Sequence, residues 1–188
     1  MRMDQVAGSG NDEFYTPKYA VDAIAKHIPP YSKIWCPFDT NKSLFVKVLV
    51  SMGHTVINTH LDDGYDFFNT PTPCGVKYII SNPPYSLKNE VFSNLFNRGV
   101  PFAMLVGIVG IFESQFRFNL FKDNNFEMLY MNKRVSYFQS FDEIKPSKSP
   151  PFSSAFICSG VLQEPRVFQT IDNKDYYFKD PLLLPGMS

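Results

Sequence analysis

The 188-residue chain carries 18 basic and 18 acidic side chains, so its formal net charge is zero. A uniformly basic surface for gripping nucleic acid is thereby excluded, and any polyanion contact has to come from a local patch. Hydrophobic residues make up 44%, charged residues 19% and aromatics 16%, a globular composition that excludes disorder and predicts one core-bearing domain over residues 1–188.

The first dozen residues, 1–12, are polar and glycine-containing and are expected to be mobile unless a ligand orders them. The stretch PKYAVDAIAKH, residues 17–27, puts Ala20, Val21, Ile24 and Ala25 on one helical face, with Pro17 suited to a first turn. KIWCPF then predicts a strand, SLFVKVLVSMG a helix closing at Gly53, and HTVINTHL a second strand, together a βαβ unit with a parallel pair. VKYIISN predicts a third strand, LKNEVFSNLFNRG a helix ending at Gly99, and PFAMLVGIVG a fourth strand. ESQFRFNLFKDN continues as helix, FEMLYMN as strand and SSAFICSGVL as the last strand. Before that strand lies FDEIKPSKSPPF, a basic, proline-rich loop that is the best local candidate for a phosphate backbone. The N-terminus lacks an apolar signal core, and the longest apolar run, residues 102–111, is short and broken by glycine, so no membrane span is expected. Cys36, Cys74 and Cys158 form no CxxC pair, which argues against zinc and against a disulfide framework and predicts no metal and a reducing, cytoplasmic setting.

Such alternation predicts a doubly wound α/β sheet covered on both faces, with a ligand beyond the carboxyl ends of the strands. The loop after Trp35, the loop after Thr59 and the turn at Asn82 would then share one rim.

That turn is the most informative stretch. In YIISNPPY a buried strand runs into Asn82, Pro83, Pro84 and Tyr85. Tandem proline cannot continue a strand, and the residue before a proline is driven to extended backbone, so Asn82 should hold its carboxamide at the strand's mouth. The bland reading is an Asn cap and a proline stop before the helix at Leu87. Asn82-Pro83-Pro84-Tyr85 also resembles the catalytic tetrapeptide of S-adenosylmethionine-dependent amino-methyltransferases, in particular the small, phage-type adenine-N6 DNA enzymes. The resemblance implies a Rossmann-like methyltransferase sheet, mostly parallel with an antiparallel C-terminal strand. It implies that the Asn82 side-chain oxygen and the Pro83 carbonyl accept the two N–H groups of an exocyclic amine, so that its lone pair points at a sulfonium methyl. Tyr85 would stack on an adenine flipped out of double-stranded DNA.

The same tetrapeptide occurs in enzymes acting on protein amides and ribosomal RNA. EFYTP, upstream of the first strand, resembles the segment with which adenine-N6 enzymes hold the methionine end of the cofactor, and it implicates Tyr15, Thr16 and Pro17. Its alternative reading is a helix start with Thr16 as cap and Pro17 at the first position, and both can hold, since a helix N-terminus suits a carboxylate. In IWCPFDTNKSLF the family's acidic position is Cys36, Pro37 and Phe38 fit, and Asp39 opens a turn without the usual glycines. Asp39 is either a displaced carboxylate for the cofactor's amino group or a turn residue. After the second strand, Asn58 or His60 stands where a ribose-binding acid is expected, with Asp62 further on. Asp66-Phe67 resembles the pair that reads the cofactor's adenine, or is a turn leading into core phenylalanine. Lys88, Lys133, Arg134, Lys145 and Lys148, with residues 139–153 as a contacting loop, are candidates for phosphates, and Phe138 or Phe152 for an extruded base.

The expected activity is therefore methyl transfer from S-adenosylmethionine to adenine N6 in DNA, with short or relaxed specificity, because no room remains for a second domain of about 100 residues. The alternative is a cofactor-weakened or inactive methyltransferase fold acting as a DNA- or protein-binding module, as the missing glycines suggest.

Overall fold

The computed structural model describes residues 15–139, 146 and 152–176. Its centre is a seven-stranded sheet built from β1 (Lys33–Cys36), β2 (Thr55–Asn58), β3 (Tyr78–Ser81), β4 (Phe102–Gly107), β5 (Glu127–Met131), β6 (Ser154–Ser159) and β7 (Arg166–Gln169). The order is β2-β1-β3-β4-β6-β5-β7. Only β6 opposes its neighbours, β4 and β5; the other pairings are parallel. This is the Rossmann-like, mostly parallel α/β sheet expected of a methyltransferase fold.

Among the described residues the α-helices are α1 (Lys18–Ala25), α2 (Leu44–Ser51), α3 (Lys88–Arg98) and α4 (Gln115–Lys122). Their placement follows from alternation along the strands. All six β4 residues are buried, with Phe102, Met104 and Val106 in one apolar cluster and Ala103 and Leu105 in the other. Successive side chains point to opposite faces, so this continuous apolar run marks a strand covered on both sides. Ala20, Val21 and Ile24 of α1 and Phe45, Val48 and Leu49 of α2 cover one face; Val91, Phe92 and Leu95 of α3 and Phe121 of α4 cover the other.

Local signals set the helix ends. Ser43 caps α2 by accepting from the Phe45 amide, and α3 stops at Gly99, whose φ of 64° is the left-handed conformation that glycine adopts without penalty. One expectation needs correction. SSAFICSGVL is not the last strand, because β7 follows it and pairs parallel with β5 at the sheet edge. Its sequence, RVFQ, alternates exposed and half-buried residues and carries too little apolar character to announce a strand; backbone pairing with β5 makes it one.

Because β1 to β5 share one direction, Cys36, Asn58, Ser81, Gly107 and Met131 end on one rim, where β6 begins opposite Gly107 at Ser154. The chain visits β2 on one side of β1 and then crosses to β3 on the other. A crevice opens at such a switch point beyond the strand ends. Among the described residues no helix is long and apolar enough to cross a membrane.

Candidate active site

At that switch point lies a cavity of about 320 Å³, within the range of small-molecule sites. Its lining joins four separate segments: Tyr15 and Thr16; Pro37, Phe38 and Asp39; Asp66 and Phe67; and Asn82 and Pro84. Pro17, Pro83 and Tyr85 of the expected residues do not line it.

The floor is the loop after β1. Asp39 is 7% exposed. Its Oδ1 accepts from Ser43 Oγ at 2.5 Å and its Oδ2 accepts from the Ser81 hydroxyl. Burial pushes its carboxyl up to about 6, against these two hydrogen bonds, which favour the charged form. Asp39 also takes its backbone into the sheet rim: its amide donates to the Thr59 carbonyl and its carbonyl accepts from Asn58 Nδ2 at 3.2 Å. Among the described residues the only non-glycine with positive φ is Tyr31. The loop therefore turns without left-handed backbone, which is why it dispenses with glycine. Ser43 and Ser81, the two partners of Asp39, carried no sequence signal, because a single serine in a helix start or a strand end is unremarkable.

β3 ends at Ser81 and the chain leaves the sheet at Asn82, as the tandem proline requires. Tyr85 opens a 3-10 turn over Tyr85–Leu87 and is 7% exposed. Its hydroxyl lies 2.9 Å from that of Tyr137, which bonds Ser154 Oγ at 2.8 Å, and its ring meets Phe152 edge-on at 5.5 Å. Burial pushes the Tyr137 hydroxyl up to about 12, so that group stays neutral.

The opposite wall follows β2. Asn58 is committed to the Asp39 carbonyl, and His60 Nδ1 accepts from the Asp62 amide at 3.2 Å while its ring lines the cavity beside Asp62. Asp66 Oδ1 accepts from the Phe68 amide at 3.0 Å and Oδ2 from Asn69 Nδ2, closing a tight turn. Each carboxylate oxygen retains a second lone pair. Phe67 is buried at 3% exposure, with Phe38 4.8 Å away between ring centroids.

The upstream segment closes over the top. Tyr15 exchanges backbone hydrogen bonds of 3.2 and 2.9 Å with Phe138, a bridge between segments far apart in the chain. Two expectations about α1 are corrected here. Pro17, not Thr16, is its N-cap, and the Thr16 hydroxyl makes no capping bond. The Lys18 and Tyr19 amides donate to the carbonyls of Tyr176 and Asp175, so these amides of the helix N-terminus are occupied by backbone and unavailable to a ligand carboxylate. Thr16 Oγ1, in a residue 6% exposed, is left buried against the cavity with no hydrogen-bond partner among the described residues.

Of the basic candidates, Lys133 and Arg134 are exposed just beyond the rim end of β5. Lys88 is half-buried with Nζ 5.3 Å from the Tyr85 ring centre. Phe138 is buried, and Phe152 is half-buried against Tyr85. Lys145 and Lys148, and most of the 139–153 loop, lie outside the described residues, as do residues 1–12. No group of three potential metal ligands occurs among the described residues.

No family model and no curated protein sequence matches the chain. Among solved structures it is similar to a TehB-like SAM-dependent methyltransferase from Corynebacterium glutamicum, at 14% identity and a TM-score of 0.46 over 82% of this chain and 91% of that one. It is also similar to a modification subunit of a putative type I restriction enzyme from Vibrio vulnificus, at 12% identity and a TM-score of 0.49 over 93% of this chain and 51% of that one.

Proposed function

We propose that the protein transfers a methyl group from S-adenosylmethionine to the exocyclic N6 amine of adenine in DNA. The observation that carries the reading is the meeting of Asn82 and Pro84 with Thr16, Asp39, Asp66 and Phe67 around one cavity, from four stretches of chain. The unpartnered Thr16 hydroxyl supports a polar ligand there, since a buried hydroxyl without a bond costs stability that a polar ligand recovers. Phe38 and Phe67 suit a flat base, Asp66 an aromatic amine, and Asp39 with Thr16 the amino-acid end.

When bound, the cofactor supplies an electrophilic methyl group. The chain's own task is to prepare the acceptor. An aromatic amine is a poor nucleophile because its lone pair is delocalised into the ring. Asn82 Oδ1 and the Pro83 carbonyl accept its two N–H groups, favour a pyramidal nitrogen and orient the lone pair, with no strong base required. The tandem proline holds both acceptors rigid, so little reorganisation accompanies the reaction. DNA is the proposed partner: Lys133 and Arg134 on the same rim meet phosphates, and the upstream FYTP segment favours an adenine-N6 enzyme over one acting on RNA or protein amides.

Purified protein incubated with methyl-labelled cofactor and unmethylated DNA, then digested to nucleosides, is expected to yield labelled N6-methyladenine. Label found only in cytosine or only in protein would overturn the substrate. Calorimetry with S-adenosylhomocysteine is expected to give a dissociation constant of about 10⁻⁴ M, since side chains replace the closer contacts of a glycine loop and two missing hydrogen bonds cost about 3 kcal/mol. No heat and no thermal shift at millimolar ligand would sink the enzyme and favour a binding module.

Thr16→Val provides a separate check on the site. Removing an unsatisfied buried hydroxyl at constant shape is expected to stabilise the protein by about 1 kcal/mol while weakening S-adenosylhomocysteine binding about fivefold. Paired thermal melts and titrations measure both; a destabilised variant with unaltered affinity would assign the hydroxyl to the fold.

A further inference from the structure

We propose that Arg98, which does not line the cavity, is the positioning residue for the wall that reads the cofactor's adenine, an inference that rests on the cofactor reading above. Arg98 is the last residue of α3, on the far side of that wall. Its Nη2 donates to the carbonyls of Phe67 at 2.8 Å and Thr70 at 3.0 Å, its Nη1 to Thr72 Oγ1 at 2.9 Å, and its Nε to Asn94 Oδ1 at 2.5 Å. The guanidinium carbon also lies 4.8 Å from the Phe67 ring centre and 5.1 Å from that of Trp35.

Phe67 is therefore held at both its carbonyl and its ring by one cation. The loop it belongs to has no strand or helix of its own and depends on such ties. From within, the Asp66 carboxylate and carbonyl close the turn, the latter accepting from the Asn69 and Thr70 amides. From outside, Arg98 fixes where that turn sits relative to β1, whose Trp35 it also covers. Loss of the outer tie leaves the Asp66 turn intact but lets it drift, and a base-reading carboxylate displaced by an ångström loses its hydrogen bond.

Lysine cannot replace the planar fork, because one ammonium cannot face two rings and span four acceptors. Arg98→Lys thus retains charge and removes geometry. The probes are S-adenosylhomocysteine and its inosine counterpart, in which a carbonyl replaces the adenine amine that Asp66 accepts. Calorimetry of the wild-type protein is expected to favour the adenine ligand about tenfold, the size of one hydrogen bond. In Arg98→Lys the preference should collapse toward parity, with cofactor KM raised about tenfold and kcat at saturation unchanged. Thr72→Val, which removes one outer acceptor, should show the same trend at two- to threefold and decides the matter if the lysine variant does not fold.

A preference and affinity unchanged in a folded variant would overturn the role of Arg98 while leaving the cofactor reading intact. A fall in kcat with KM and preference unchanged would overturn it as well. Wild-type protein that binds neither probe would overturn the cofactor reading itself.

Discussion

Asn82→Ala is expected to lower the single-turnover rate of methyl transfer by about 10²- to 10³-fold, with folding and S-adenosylhomocysteine affinity nearly unchanged. Loss of one preorganised acceptor removes about 3 to 4 kcal/mol of transition-state stabilisation. In the proposed reading the effect falls on the rate because the amide would meet the reacting amine, whereas the cofactor would rest on Thr16, Asp39, Asp66 and Phe67, which line the same cavity. The proline pair keeps the turn's backbone in place, so a side chain truncated at Asn82 takes away an acceptor and not a conformation. Rapid-quench measurement at saturating cofactor and DNA provides the check. An undiminished rate would remove Asn82 from the chemistry, and a variant that melts early would assign it to the fold.

Asp39→Asn is expected to stabilise the protein at neutral pH and weaken its hold on the cofactor. The Asp39 carboxyl is raised from 3.8 to about 6, chiefly by burial. A group held above its unfolded value binds its proton more tightly in the folded state, so its contribution is fully present below about pH 4 and is lost as pH rises through about 6. The difference corresponds to about 3 kcal/mol at neutral pH. Asparagine removes the charge and preserves the cluster: its oxygen accepts from one serine and its NH₂ donates to the other hydroxyl. The stability gap between variant and wild type, from denaturant melts, should be near zero at pH 4 and widen to about 3 kcal/mol by pH 7.5. Parallel curves across that interval would show that Asp39 does not titrate there. The same substitution is expected to weaken S-adenosylhomocysteine binding about tenfold, because in the proposed reading the buried carboxylate would be the anion beside the ligand's ammonium.

Periodicity and turn chemistry, both local, made much of the molecule legible beforehand. Among the described residues, α1 to α4 and every strand but β7 show in the sequence as an apolar rhythm bounded by glycine, proline or serine. The exit from the sheet at Asn82 was forced by backbone sterics alone, whatever lay around it. β7 was invisible because an edge strand is stabilised by hydrogen bonds to β5, and those depend on position and hardly on side chain.

The site divides along the same line. The residue types around the cavity, an amide before two prolines, an aspartate and phenylalanine after β2, a threonine before α1, were readable one by one. Their meeting was decided by the order of the strands, which crosses over at β1 and brings four segments to one rim. Local sequence left Asp39 open between turn and ligand; only packing showed it buried between Ser43 and Ser81, with a raised pKa. Thr16 read equally well as a helix cap, until carbonyls from residues 175 and 176 took amides at the start of α1 and left its hydroxyl against the cavity. Arg98 had no signal beyond a basic residue in a last helical turn, where its charge complements the helix dipole. Sequence by itself determined what each stretch would do alone: turn, extend, coil or stop. Burial, shared hydrogen bonds and the partner of each polar atom belong to pairs of distant residues, and those only the tertiary structure decided, because their energies exist once the chain has brought both members out of water together.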